Sequence, residues 1–176
     1  LEGARGRTMA IWNRIKSLSI KQLFLLVKTF VVNPLYFFPT HRATLQTVQI
    51  CDKLFGKAHH KNNVTNSFRH ALWNVLIVKN VYSKNNSVEK SVIWAKRITD
   101  LHEKLAPNAK LEMEMDLQNN EVGRNLFAEK HLFDKDRSII ISVLKEKMET
   151  AVKVSSIKDI EKNKSEFVFI EKLKTT

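Results

Sequence analysis

Three polar runs gather the residue types that acid–base and metal chemistry use. They are Arg69-His70-Ala71-Leu72-Trp73-Asn74, Asp100-Leu101-His102-Glu103, and Asp116-Leu117-Gln118-Asn119-Asn120-Glu121-Val122-Gly123-Arg124. Each interrupts a stretch that is otherwise apolar at helical spacing. Buried polar groups are costly unless partnered, so such clusters bind one another, water or a ligand. His70, His102, Glu103 and Asp116 are the candidate catalytic residues, because an imidazole can act as a base and carboxylates can orient water or hold a cation. The same four would suit zinc, whereas Asp116 with Asn120 offers hard oxygens to Mg²⁺ or Ca²⁺. Arg69, Asn74, Asn119, Asn120 and Arg124 are the candidate substrate-binding residues, the arginines because a guanidinium matches phosphate or carboxylate. The expected cofactor is a divalent metal (Zn, Mg or Ca), although no fixed signature such as His-Glu-x-x-His is present.

Helical geometry assigns these groups to faces. His70 and Asn74 share one face, with Arg69 and Trp73 on the next. His102 falls within about 40° of Ile98 and is expected to point at the core beside Trp94, with Asp100 opposite and Glu103 on the flank. Asp116, Asn120 and Gly123 lie within about 40° of one line, with Asn119 adjoining. A glycine inside a helix costs up to about 1 kcal/mol relative to alanine, so Gly123 implies the close approach of another backbone or a ligand. The competing reading is a structural hydrogen-bond network around a core histidine.

The elements that must hold these groups read as helices. Only 4 Gly and 3 Pro occur in 176 residues, which argues against a turn-rich β fold. Ser17 or Ser19 is expected to cap a helix ending before Pro34, followed by an aromatic connector, Leu35 to Pro39. A second helix is read from Thr44 to Gly56, then a polar loop from His59 in which His59 and His60 are solvated. Asn66 or Ser67 is expected to cap a central helix apolar on most sides, running to about Tyr82. Further helices are read to just before Pro107, from Leu111 to Lys130, and from Asp136 to about Val152. The expectation is a single compact all-α domain of five to six helices over 9–154. Residues 1–8 read as a non-native leader ahead of Met9, and 155–176 as a charged, solvated tail. Phe167-Val168-Phe169-Ile170 is that tail's only apolar run.

Charge bounds the partners. The chain carries a formal +12, and residues 1–66 hold ten lysines and arginines against only Glu2 and Asp52. Such an excess favours an anionic substrate or membrane surface, or nucleic acid, though no nucleic-acid-binding signature is present. The apolar stretch Leu23 to Phe38 is broken by Lys28, Asn33 and Pro34, so no transmembrane segment is expected. No signal peptide is visible, which fits a cytoplasmic protein or an effector secreted by another route. The single cysteine, Cys51, forms no internal disulfide and reads as a small buried side chain.

From Leu23 to about Phe127 the chain resembles a family of bacterial helical domains of unassigned activity, found in Bacteroidetes and flavobacteria in particular. Related modules stand at the C-terminal ends of polymorphic toxins and secreted effectors. The residues that carry the likeness are Asn66 to Asn74, Trp94 to Glu103 and Met115 to Arg124, against the pattern Arg-His-Ala-x-Trp-Asn, Asp-x-His-Glu and Met-Asp-Leu-His-Asn-Asn-x-x-Gly-Arg. The departure is Gln118, where the resemblance implies histidine. If that histidine is a base or ligand in relatives, this chain is weakened or inactive. The expected function is hydrolysis of an anionic ester, a phospholipid or other phosphodiester, in a toxin or effector setting, with the basic first sixty residues meeting a membrane. The alternative is a non-catalytic module that binds anionic membrane or nucleic acid.

Overall fold

A computed structural model describes residues 19–105 and 108–171. Seven α-helices lie within them: α1 (Ile20–Val32), α2 (Phe37–Phe55), α3 (Val64–Asn85), α4 (Val88–Leu105), α5 (Lys110–Glu129), α6 (Arg137–Glu149) and α7 (Ile157–Lys162). Two two-residue strands, β1 (Val152–Lys153) and β2 (Val168–Phe169), pair in parallel with Val152 opposite Val168. The fold is mostly α-helical, as the scarcity of glycine and proline requires. The expectations for 1–8, Ser17 and Pro107 lie outside the described residues.

Local chemistry sets the helix ends. Ser19 accepts from the Gln22 N–H at 3.3 Å, and Gln22 returns a bond from the Ser19 N–H at 2.8 Å, a capping box. Helix α2 starts at Phe37 rather than Thr44, because Pro39 falls in its first turn, where its missing N–H has no helical partner to lose. Gly56 ends α2 with φ 57°. Helix α3 starts at Val64, before the expected cap, because Asn63 accepts from the Thr65 N–H at 2.9 Å and its hydroxyl at 2.7 Å. Asn86, left-handed at φ 52°, closes it.

Helix α3 is the axis of the fold and packs against α2, α4, α5 and α6. Phe68, Leu72, Val75, Ile77, Val78 and Val81 are fully buried in it. Helices α3 and α5 come into close contact at Gly123, where an added Cβ would meet the Ala71 Cα and O at 2.6 Å. The close approach read from Gly123 is therefore that of another backbone.

The segment from Ser155 to Ile170, expected as a solvated tail, is corrected. Phe167 is fully buried in the main core, and Val168 packs with Met115, Val154 and Ile160 in a second cluster. Ser67 Oγ donates to the Val168 carbonyl at 2.8 Å. Asn119 behaves like one more strand residue: its Nδ2 donates to that carbonyl and its Oδ1 accepts from the Val168 N–H, both at 2.9 Å. Charge dominates the composition here, but the segment runs between two clusters, so the adjacent Phe167 and Val168 point to opposite sides and are both buried.

The expectation that His59 and His60 are both solvated is also corrected. His59 is fully buried, with Nε2 3.1 Å from Asp52 Oδ1, while His60 is exposed. The turn Ala58–His60 folds one imidazole under the end of α2 and leaves the other outside.

Candidate active site

Four buried side chains from three helices meet where α3, α4 and α5 adjoin: His70 from α3, Glu103 from α4, and Asp116 and Asn120 from α5. Spacing delivers them together. Asn66, His70 and Asn74 repeat every fourth residue on α3, as Asp116, Asn120 and Arg124 do on α5, so each set forms one row.

His70 is the centre. Its Nδ1 lies 3.2 Å from Asn120 Oδ1 and 3.7 Å from Glu103 Oε1, and its Nε2 lies 3.3 Å from Asp116 Oδ1. Arg69 Nη2 is 2.9 Å from Nε2. Because a guanidinium only donates, Nε2 accepts and the ring proton sits on Nδ1, donated to Asn120. Asn120 Oδ1 also accepts from Asn74 Nδ2 at 2.7 Å. Asn74 Oδ1 in turn accepts from Arg124 Nη1 at 2.8 Å and from Thr99 Oγ at 3.3 Å. Asn66 Nδ2 donates to Asp116 Oδ1 at 2.9 Å.

This network leaves one acceptor unfilled: Glu103 Oε2 is buried with no hydrogen-bond partner among the described residues. His70 Nε2 and Asp116 Oδ1, 3.3 Å apart, accept from Arg69 and Asn66 respectively. The Arg69 guanidinium is the cation that holds these two acceptors together. Burial, reinforced by Asp116, pushes the Glu103 carboxyl up to about 8. Burial also raises Asp116, to about 6, against the pull of Arg69 and the Asn66 amide. His70 is driven well below its ordinary value by burial and by Arg69, so it is neutral. Near pH 7 the site therefore holds a protonated Glu103, a neutral imidazole and a largely ionised Asp116. Cys51 has no part in this chemistry; burial pushes its thiol up to about 12.

One ligand atom from each of His70, Glu103 and Asp116 lies within 4.8 Å of the others, so three of the four residues expected to hold a metal converge. His102, the fourth, stands outside this group and is exposed. The helical wheel gives its direction, on the side of Ile98, but not what fills the space there. Instead of packed core it meets an open groove, where its ring lies edge-on to Trp73 at 5.1 Å.

The expected substrate-binding residues divide. Arg69 is half-buried at the edge of the acid pair. Asn74, Asn120 and Arg124 are locked into the network, and Asn119 is committed to Val168. Gln118 does not reach the acid pair. Its Nε2 donates to the backbone carbonyls of Asn163 (3.2 Å) and Lys164, anchoring the C-terminal segment. Two members that sequence reasoning missed are Asn66 and Thr99. Asn66, one turn before His70, was signalled by its spacing; Thr99 carried no signal.

A cavity of about 360 Å³ between α4 and α5 borders the site on its Glu103 side, and His70 and Asp116 do not line it. Glu103 and Arg124 line it, with Lys96, Lys104, Asp100 and Glu121 around them. A family model described as "Domain of unknown function (DUF6973)" matches residues 27–152. No curated protein and no solved structure matches the chain.

Proposed function

The chain belongs to the DUF6973 family, and we propose that it is a hydrolase of an anionic ester, a phospholipid or other phosphodiester, with Asp116, His70 and Glu103 as its acid–base group. The carrying observation is the pair of carboxyls set on opposite nitrogens of one neutral imidazole, their proton affinities pushed apart by unequal surroundings. Such a split marks out a base and an acid. Asp116 takes the proton of the attacking water. Glu103, which lines the α4–α5 cavity, gives its proton to the departing alkoxide. Arg69 stabilises the developing negative charge, and Asn120 keeps the imidazole in one tautomer. Arg124 and Asn74 hold Asn120 in place.

A divalent cation would be held by the same three residues, because one ligand atom of each lies within 4.8 Å of the others and Glu103 Oε2 is buried without a partner among the described residues. His70 Nε2 would exchange its bond from Arg69 for the cation. One imidazole with two carboxylates favours zinc over Mg²⁺ or Ca²⁺, which take oxygen ligands. Bound there, zinc would polarise the ester and acidify its water. Gln118 is not an obstacle, since its side chain faces away from these ligands. A toxin or effector setting is compatible with such an activity.

The test is turnover of phospholipid and phosphodiester substrates by the full chain, with and without added zinc. Asp116→Asn should abolish turnover while helical circular dichroism is kept. Turnover that survives in both Asp116→Asn and Glu103→Gln defeats the assignment. The rival, a non-catalytic module, is favoured by the saturated bonding of Asn74, Asn119 and Arg124. It requires that the same substitutions lower stability and change no chemistry.

A further inference from the structure

Apolar surface is distributed unevenly in this molecule. Among the described residues, nine of the eleven exposed large hydrophobics (Leu23, Phe24, Leu25, Val27, Val31, Val32, Leu35, Phe37 and Phe38) belong to α1, the Pro34–Tyr36 turn and the start of α2, and only Ile93 and Ile139 lie elsewhere. Phe24, Val31, Leu35 and Phe38 are 68–76% exposed. A monomeric soluble protein rarely shows so continuous a patch unless something covers it. Beneath α1 runs a groove of about 770 Å³, walled by Leu26, Phe30, Phe37, Trp73, Leu101 and His102 among others.

Two features identify the occupant. The first is charge: from Ser19 to Cys51 there is no aspartate or glutamate, while Lys28 and Arg42 are exposed beside the apolar band. The second is the shortage of hydrogen-bonding groups: apart from the His41 and His102 rings and the Trp73 N–H, the lining offers only two threonine hydroxyls. The lining hydroxyls are already used: Thr40 Oγ donates to Tyr36 O at 2.7 Å and accepts from Trp94 Nε1 at 2.9 Å. Thr44 Oγ donates to Thr40 O at 3.0 Å and accepts from Trp73 Nε1 at 2.9 Å. A protein partner would meet a hydrogen bond every 100–200 Å² or so across a typical interface. An apolar band edged only by cations suits hydrocarbon beneath anionic headgroups.

Length decides how such a surface sits. At about 1.5 Å per residue, the 13 residues of α1 reach roughly 20 Å, short of the ~30 Å hydrocarbon core. No single described helix is long and apolar enough to cross a membrane, and the α1–α2 pair is bent by 101° at Asn33. The bend suits a helix that lies along the bilayer plane.

We infer that α1 and the start of α2 dock on an anionic phospholipid bilayer, with α1 in the interface and an acyl chain in the groove beside Trp73. This rests on the apolar surface and its charge, and stands whether or not the acid pair is catalytic.

The experiment is co-sedimentation of the full chain with phosphatidylcholine vesicles with and without phosphatidylglycerol. Binding should require the anionic lipid, weaken with salt, and fall at least about tenfold in Phe24→Ser/Leu35→Ser/Phe38→Ser and in Lys28→Glu/Arg42→Glu. These side chains are exposed, so the fold should survive, as circular dichroism will show. Brominated acyl chains should quench fluorescence in a Trp12→Phe background, and Trp73→Phe should remove most of that quenching. No binding to anionic vesicles, binding indifferent to both variants, or absence of Trp73 quenching in bound protein overturns the inference. So does a dimer in light scattering that the triple variant abolishes, because the patch then belongs to a second copy.

Discussion

The backbone of Ala71 in α3 lies so near Gly123 in α5 that a Cβ on Gly123 would stand 2.6 Å from the Ala71 Cα and carbonyl oxygen. The obstruction is backbone, not a side chain that could rotate away. Gly123→Ala should therefore separate the two helices that carry His70 and Asp116. The gain in helix propensity, up to about 1 kcal/mol, cannot offset an overpacking cost of about 1–3 kcal/mol or more. Thermal unfolding should show a lower midpoint. An unchanged or raised midpoint would mean that the helices are not this close.

Glu103 makes stability depend on pH in an unusual direction. Its carboxyl is raised from about 4.5 to about 8, so between those values the folded state holds a proton that the unfolded chain has released. Stability from this group is fully present below about 4.5 and is lost as pH rises to about 8. His70, lowered in the fold, acts oppositely, but only below its ordinary value of 6.5. From pH 6.5 to 8 the Glu103 slope should thus dominate, approaching ~1.4 kcal/mol per pH unit for one proton. Glu103→Gln mimics the protonated acid and should flatten that slope in denaturant unfolding at several pH values. A slope unchanged by the substitution would place the carboxyl in water.

Periodicity carries information where a helix is buried on several sides. The four-residue rows that contain His70 and Asp116, and the cost of glycine at 123, were readable because a solvated helix has no use for them. His102 was not, because a wheel cannot tell packed core from an open groove. Nor could four apolar residues in a charged segment reveal that Phe167 completes the core, since that depends on α3 and α5 offering a place for it. The rim of α2 was misplaced for a local reason: Pro39 reads as a breaker in a window, but is harmless in a first turn. The exposed face of α1 was visible as composition, whereas that no other described residue covers it required the fold.

Phe167 tests whether the C-terminal segment is part of the folding unit. Its ring is fully buried in the main core cluster, and β2 is held through Asn119 and Ser67. Phe167→Ala should cost about 3–5 kcal/mol, the usual range for a buried aromatic cut to alanine. Lys164→Ala, on an exposed side chain, should change stability by less than about 0.5 kcal/mol. If both substitutions prove equally mild in urea titrations, the segment packs loosely against the main core.

The acid pair also fixes the form of a rate profile. Asp116 must be ionised to accept a proton from water, and burial sets that change at about 6. Glu103 must be protonated to serve a leaving group, and burial sets its loss at about 8. Ester turnover by the free enzyme should therefore rise through about pH 6, fall through about pH 8, and peak between. Glu103→Gln keeps the shape of the acid but cannot give up a proton, so it should remove the alkaline limb and cut kcat/KM by about 10²–10⁴-fold. Asp116→Asn should remove the acidic limb with a comparable loss. Arg69→Lys keeps a cation near Asp116 but loses the planar donor to His70 Nε2, so it should move the acidic limb less than Arg69→Ala, whose loss of charge raises Asp116 further. A profile whose two limbs stay in place in all of these variants would assign both ionisations to other groups and leave the trio as scaffold.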